Sequence, residues 1–435
     1  MYARVSLRLM APVGLVAFLA AATTAAAQAP PDAGQHEHAG HVMPEGDQQI
    51  PASRDGSGTS WLPDDSPIYA VHGMANGWML MGHGNAFMQY LRESGDRGSE
   101  QTGSINWLMG MAQRPVGAGR LMFRGMVSFE PWTIGGCGYP DLLATGESCE
   151  GEAIHDRQHP HDLFMEFAVQ YDRPIGKGVR LQLYGAPVGE PALGPVAFMH
   201  RVSALPNFLA PITHHWFDST HITYGVATGG VYARRWKLEG SVFNGREPDE
   251  ERTDFDLATM DSWSGRAWFL PTPRWALQVS AGRLNEAEPG HDGGLPIDID
   301  RVTASATYHR TTLADVIWAT TLGWGRNAER GGDPTNALLF ESSVTVRAHD
   351  AWYGRVEWSE KSGHDLAVAE HGIFHVAKIQ GGYTRYLTPL KGFSPGLGAA
   401  ASTSIVPPTL EQAYGSRFNL GFGVYLTLRP SKHKM

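Results

Sequence analysis

The sequence predicts an all-β chain: a transmembrane antiparallel β-barrel of about sixteen strands, within a range of roughly 14–18, behind a disordered N-terminal periplasmic segment. Three observations predict it. Alternating apolar and polar segments of about 9–14 residues recur from residue 76 to the end, as in a wall with one face in lipid and one in the lumen. Glycine is abundant (52 residues) and aromatics make up 10 %, while helix-period segments are scarce. The chain also begins like an exported protein.

Arg4 and Arg8 precede the apolar run MAPVGLVAFLAA and the small residues Ala25, Ala26 and Ala27. That is a charged region, an apolar region and a cleavage site, so residues 1–27 are expected to be a secretory signal peptide. No later run of about 18 apolar residues predicts a spanning helix. Residues 28–75 are rich in Pro, Gly, Asp and Gln, and are expected to stay flexible in the periplasm. The barrel is expected over 76–429, with a short tail at 430–435. The expected location is the outer membrane with both termini periplasmic, and the expected partners are outer-membrane lipid and the barrel-assembly machinery. The tail RPSKHKM departs from the aromatic end usual in such barrels. Formal charge is −9, and loss of Arg4 and Arg8 takes it to about −11. A nucleic-acid partner is excluded, because binding nucleic acid needs a basic face. The two cysteines, Cys137 and Cys149, read as a disulfide in an exported chain.

The last strand is the clearest. In RFNLGFGVYLTLR, Phe418, Leu420, Phe422, Val424, Leu426 and Leu428 share one face, and Asn419, Gly421, Gly423, Tyr425, Thr427 and Arg429 the other. Strand centres are expected near residues 84, 109, 125, 167, 183, 227, 240, 266, 279, 306, 319, 342, 356, 380, 401 and 423. Short and long connections alternate between them, the rule for periplasmic turns and external loops. The strand near 380 alternates poorly, with Lys378 and Gln380 on the face of Phe374 and Val376.

Histidine carries the candidate chemistry. HDRQHPHD holds His155, His159 and His161, with Asp156 and Asp162 as ligands or orienting groups. The connection GEPALGPVAFMHRVSALPNFLAPITHHWFDSTH adds His200, His214, His215 and His221, and is too long and apolar to lie idle in water. It is expected to fold into the barrel mouth. The N-terminal segment offers His36, His38 and His41 as a mobile capture tract. In GWMLMGHGN, Met79, Met81 and His83 share the expected lumen face, while Trp78, Leu80 and Met88 face lipid. Imidazoles suit copper, zinc and nickel, and thioethers select copper. Imidazole ligation would weaken as pH drops below about 6.5. The alternative is structural: histidines and aspartates that hydrogen-bond each other and pin a plug.

The barrel pattern with its leader resembles bacterial outer-membrane porin-like proteins. More narrowly, GTSWLPDDSPIYAVHG, GWMLMGHGNAF, HDRQHPHDLFMEFAVQY, GEPALGPVAFMHR and HHWFDSTHITYGV resemble a little-characterised family of exported proteins associated with copper and heavy-metal resistance. The His-rich leader resembles outer-membrane copper-resistance proteins of the B type, without their long Met/His repeats. The resemblance implies a barrel that binds or passes a transition-metal ion, copper above all, alongside periplasmic metal-resistance proteins. The alternative is a porin for small polar or charged solutes, with Arg124, Arg180, Lys237 and Arg355 lining its channel, a His-pinned constriction loop and a homotrimeric assembly. An outer-membrane hydrolase using Ser203 or Ser219 beside His214 or His221 is a third reading. With no G-x-S-x-G elbow in the chain, no enzyme is expected.

Overall fold

The computed structural model describes residues 50–288 and 295–432. The expected signal peptide, residues 28–49 with His36, His38 and His41, and the last three residues lie outside them. A short hairpin leads in. β1 (Val71–Ala75) pairs with the start of β2 (Trp78–Glu93) across Asn76 and Gly77, both at positive φ (49° and 78°). Asn-Gly suits a two-residue turn whose twist matches the strands.

β3 (Glu100–Val116) and β4 (Gly119–Val127) follow, and β5 (Tyr139–Cys149) and β6 (Glu152–Gln158) then form a separate hairpin. The wall continues through β7 (Phe164–Gly176), β8 (Val179–Gly189), β9 (Thr223–Ala233), β10 (Trp236–Phe243), β11 (Ser262–Thr272) and β12 (Trp275–Glu288). It is completed by β13 (Ile297–Thr311), β14 (Val316–Glu329), β15 (Thr335–Val346), β16 (Asp350–Ser362), β17 (Ile373–Tyr386), β18 (Phe393–Ile405) and β19 (Phe418–Pro430). All but β1, β5 and β6 pair antiparallel in chain order, and β19 pairs back onto β2 from Gly421↔Glu93 to Leu428↔Ala86. The result is a closed barrel of sixteen strands, and each expected strand centre falls inside one of them.

Alternation places the two faces. Leu238, Val242, Val279, Phe340, Val356, Leu420, Phe422 and Leu426 are exposed on the outside, where lipid covers them. Trp275, Tyr308 and Trp318 lie at the short-turn ends of their strands with ring centroids 5.0 and 5.4 Å apart, as Trp352 and Tyr383 do at 5.3 Å, forming an aromatic girdle. The described chain ends meet there too, Tyr69 bridging Lys432. This is an outer-membrane barrel.

The inner face is packed. Lumen side chains from opposite parts of the wall, among them Gln89, Lys237, Gln278, Glu341, Arg355 and Lys378, have almost no accessible surface. Two segments fill the space. One is residues 50–66, where buried Trp61 sits against Tyr232, Trp268 and Leu270 and Arg54 pairs with Asp64 at 2.7 Å. The flexible segment expected over 28–75 is therefore corrected for 50–75. Its polar composition does not preclude order, because the charged lumen wall supplies the partners. The other is the connection 190–222, as the apolar sequence required. Phe208 packs with Phe87, Tyr353 and Tyr425, and Trp216 and Phe217 with Ala337 and Leu339. Wall glycines make room for it: a Cβ on Gly325 would lie 2.5 Å from the Trp216 carbonyl oxygen, and one on Gly423 2.7 Å from the Phe208 ring.

Four cations expected to line an open channel instead serve the packing. Arg124 donates to the Gly58 carbonyl at 2.5 Å, Lys237 to that of Thr59, and Arg355 to that of Leu209 at 2.9 Å. Arg180 pairs with Asp172 at 3.2 Å. They sit in a filled lumen where an uncompensated charge is costly, so they bond carbonyls and carboxylates rather than water.

Gly194 has φ +81°, and a Cβ there would lie 2.0 Å from the Phe217 carbonyl oxygen. Gly194→Ala is expected to leave the barrel folded, read by its heat-modifiable gel migration, while opening 190–222 to protease. Unchanged protection of that connection contradicts the packing described.

Candidate functional site

The β4–β7 and β8–β9 connections bring five of the predicted histidines together. His159 and His161 follow β6, and His214 and His215 open a single helical turn (His214–Phe217) that leads to His221. All five are buried. Ring centroids lie 6.3–6.5 Å from His159 to His161, His214 and His215, 5.0 Å between His214 and His221, and 5.4 Å between His161 and His221. Phe198 stacks on His161 at 6.0 Å and meets His214 and His221 edge-on.

Each ring has an acceptor beside one nitrogen. His161 Nδ1 is 3.0 Å from both oxygens of Glu130, a fully buried carboxylate that also takes the backbone N–H of His161 and Asn106. His214 Nδ1 is 2.8 Å from Asp218 Oδ1, one helical turn on, and His221 Nδ1 is 2.8 Å from the Asp218 carbonyl. His159 Nδ1 is 3.2 Å from the Pro160 carbonyl and 3.1 Å from Glu147 Oε2. His215 Nδ1 lies 2.9 Å from Glu247 Oε1, without hydrogen-bond alignment. Carboxylates and carbonyls only accept, so His159, His161, His214 and His221 carry a proton on Nδ1, and where burial disfavours the cation, in His159, His214 and His221, Nε2 is a lone pair. Nε2 of His159, His161, His215 and His221 is buried without a hydrogen-bond partner among the described residues. Gly146 makes room for the cluster, since a Cβ there would lie 2.0 Å from the His215 ring.

Burial, reinforced by Arg252 and neighbouring rings, pushes His159 well below the ordinary histidine range. Burial does the same to His221, with His214 and His161 adding to it, and to His200, with His83 adding. It lowers His214 too, against the pull of Asp218. Burial favours a protonated Asp218, but Arg201 and then His214 outweigh it and hold the carboxyl below its usual range. Burial lifts Asp162 to about 6, opposed by Arg252. The signs differ. The four lowered histidines contribute fully above their ordinary value of 6.5 and cost stability as pH falls below it. Asp162, raised from 3.8, gains stability as pH falls through about 6.

The other predicted residues fall elsewhere. His155 lies on β6, exposed and bonded only to the Ala153 carbonyl at 3.2 Å, because strand alternation turns it away from the cluster. Asp156 pairs with Arg97 at 2.7 Å and accepts from the Leu143 N–H, and Asp162 pairs with Arg252, so neither orients an imidazole. His200 sits apart with His83 and Trp107, at 5.8 and 4.6 Å between centroids. His83 Nε2 is 2.8 Å from Met109 Sδ. Met79 and Met81 lie on the inner-face alternation of β2, at its end paired with β1, while Leu80 and Met88 are exposed outside. Ser203 bonds Thr321 and Glu341, and Ser219 accepts from Arg301, so both hydroxyls are engaged with groups other than the histidines. Cys137, just before β5, and Cys149, its last residue, form the expected disulfide. The orienting groups Glu130, Glu147 and Glu247 and the cations Arg201 and Arg252 were missed. Acidic residues at strand ends and in loops carry no periodicity that marks them.

No family model matches the chain, and no curated protein does. Solved structures do. The anion-selective porin from Comamonas acidovorans is 12 % identical, with 81 % of this chain covering 99 % of that one at a TM-score of 0.49. The OmpF of Salmonella typhi in complex with daunomycin is 9 % identical, with 82 % covering 100 % at 0.48. The outer-membrane channel DcaP of Acinetobacter baumannii is 9 % identical, with 82 % covering 100 % at 0.46. At such identities the likeness concerns the fold alone.

Ring-carbon shifts of labelled protein are expected to show His159, His200 and His221 still neutral where an ordinary histidine, with its midpoint near 6.5, is protonated. Titration of all three near 6.5 contradicts the buried geometry.

Proposed function

We propose that this protein is an outer-membrane passage barrel for small polar or charged solutes, closed at rest by its own plug. The observation that carries the reading is how the plug is held. Wall cations Arg124, Lys237, Arg266 and Arg355 each donate to a plug carbonyl, of Gly58, Thr59, Gly194 and Leu209 respectively. Water or a passing anion can replace a carbonyl on a guanidinium without leaving the charge bare, so these bonds hold the plug in a way that can be released. The histidines act as pins between the two loops.

A second reading narrows the cargo to a transition-metal ion, copper by the family resemblance, with periplasmic metal-resistance proteins as partners and His36, His38 and His41 as capture ligands. One observation favours it. Met126, Met165, Met199, His200 and His221 line a single cavity of about 10 Å³ beside Glu166 and Glu190, soft donors against carboxylates inside the plugged lumen.

In planar bilayers the wild-type barrel is expected to show rare, small openings. A variant lacking residues 50–66 should conduct several-fold more, and the expected homotrimer predicts steps in threes. A large steady wild-type conductance, or a folded deletion variant that conducts no more than wild type, contradicts the reading. In liposomes, Cu⁺ entry reduced by Met165→Leu with Met199→Leu would support the narrower cargo, and entry independent of both would remove it.

A further inference from the structure

Structural pinning accounts for Nδ1 of His159, His161, His214 and His221, but not for Nε2 of His159, His161 and His221 or for either nitrogen of His215. Burying a polar atom without a partner is costly, and four such Nε2 atoms, of His159, His161, His215 and His221, collect in this one region. One ring nitrogen from each of His159, His214 and His215 lies within 4.8 Å of the others. Tetrahedral ligands at about 2.0–2.1 Å from zinc stand about 3.3 Å apart, so a modest inward movement of the rings would close a metal site. Ring nitrogens of three imidazoles gain nothing from that closeness unless a cation lies between them.

The surroundings agree. Metal-bound histidines characteristically donate their second nitrogen to a carboxylate or carbonyl, which fixes the tautomer and raises ligand basicity. Here His159 Nδ1 is backed by the Pro160 carbonyl and His214 Nδ1 by Asp218, while carboxylates of Glu147 and Glu247 lie 3.1 and 2.9 Å from Nδ1 of His159 and His215. The ionic balance is acidic: Arg252 is shared between Glu147 and Asp162, and Arg201 between Asp218 and Glu341, while Glu130 and Glu247 are paired with imidazoles. An anion would meet these carboxylates, whereas a cation would be neutralised by them.

We propose that His159, His214 and His215 hold one divalent transition-metal ion through one ring nitrogen each, where the β4–β7, β8–β9 and β10–β11 connections meet. The donor set contains only imidazole nitrogen, which suits Zn²⁺, Cu²⁺ or Ni²⁺ and differs from the thioether-lined cavity nearer the wall. Three protein ligands leave a fourth position for water or another donor. The ion ties the loop of the disulfide-closed hairpin to the long plug connection. The proposal rests on the plug's geometry and not on passage, so conductance and metal binding stand or fall separately.

The test uses the full mature chain, refolded, with Co²⁺ as a spectroscopic probe and Zn²⁺ as competitor. A variant carrying His36→Ala, His38→Ala and His41→Ala removes the arm's ligands and is expected to bind one Co²⁺ with the intense visible bands of a tetrahedral site. Adding His159→Gln and His214→Gln should abolish those bands and weaken binding at least a hundredfold. Glu247→Gln should weaken it by about 10–100-fold, the usual effect of losing a group that orients a ligand. An arm variant without a tetrahedral site, or binding unchanged by the two glutamines, overturns the proposal. Should the doubly substituted loop fail to fold, X-ray absorption of the Zn²⁺-loaded arm variant decides: three imidazoles per zinc support the site, and one or none overturns it.

Discussion

Arg201 joins the plug to the wall. Its side chain is almost completely buried, with Nε 2.6 Å from Glu341 on β15, and Nη1 3.0 Å from the Val196 carbonyl and 2.8 Å from Asp218. Glu341 also holds Arg355, which reaches the Leu209 carbonyl, and Asp218 holds His214 and, through its carbonyl, His221. A single buried guanidinium thus links a membrane strand, the middle of the plug and the histidine cluster. Such a pair is expensive to desolvate, and removing one partner typically costs about 3–5 kcal/mol because the other charge is left bare. The lumen tolerates it because Arg201, Arg355, Glu341 and Asp218 are paired with one another.

The same requirement shapes the rest. A closed sheet has no free edges, but its inner face must still satisfy its polar groups. An aqueous channel does this with water. This lumen does it with residues 50–66 and 190–222, whose carbonyls meet wall cations and whose aromatics meet wall glycines. The clustered histidines lie where the plug meets the external loops, buried and close enough to act together.

Much of this was legible in the sequence and some was not, for physical reasons. Period-two alternation is local, so all sixteen strands were found, and the long apolar connection announced that it would fold inward. The weak alternation near 380 also has a cause: Lys378 and Gln380 face inward with Val376 because Lys378 pairs with Glu93 and Asp141, while Val376 packs on Leu142 and Ile212. Five of the seven loop histidines converged, but proximity in sequence misled for His155, which lies exposed on a strand. The order of residues 50–66 was hidden because it depends on partners far along the chain, such as Arg266 on Thr59 and Arg124 on Gly58. Glu130, Glu147 and Glu247 were hidden for the same reason, since only the folding of the β4–β7 and β10–β11 connections brings them to the histidines.

A plugged lumen requires the connection 190–222 to be an ordered part of it and not a loop resting across its mouth. Amide hydrogen exchange of the refolded barrel, corrected for intrinsic rates and read by mass spectrometry, tests this most directly. Peptides spanning 194–222 are expected to exchange as slowly as those of β14 and β15, against which Trp216 and Phe217 pack. Complete exchange of that stretch within minutes, beside protected strands, would contradict the plug and the site built on it.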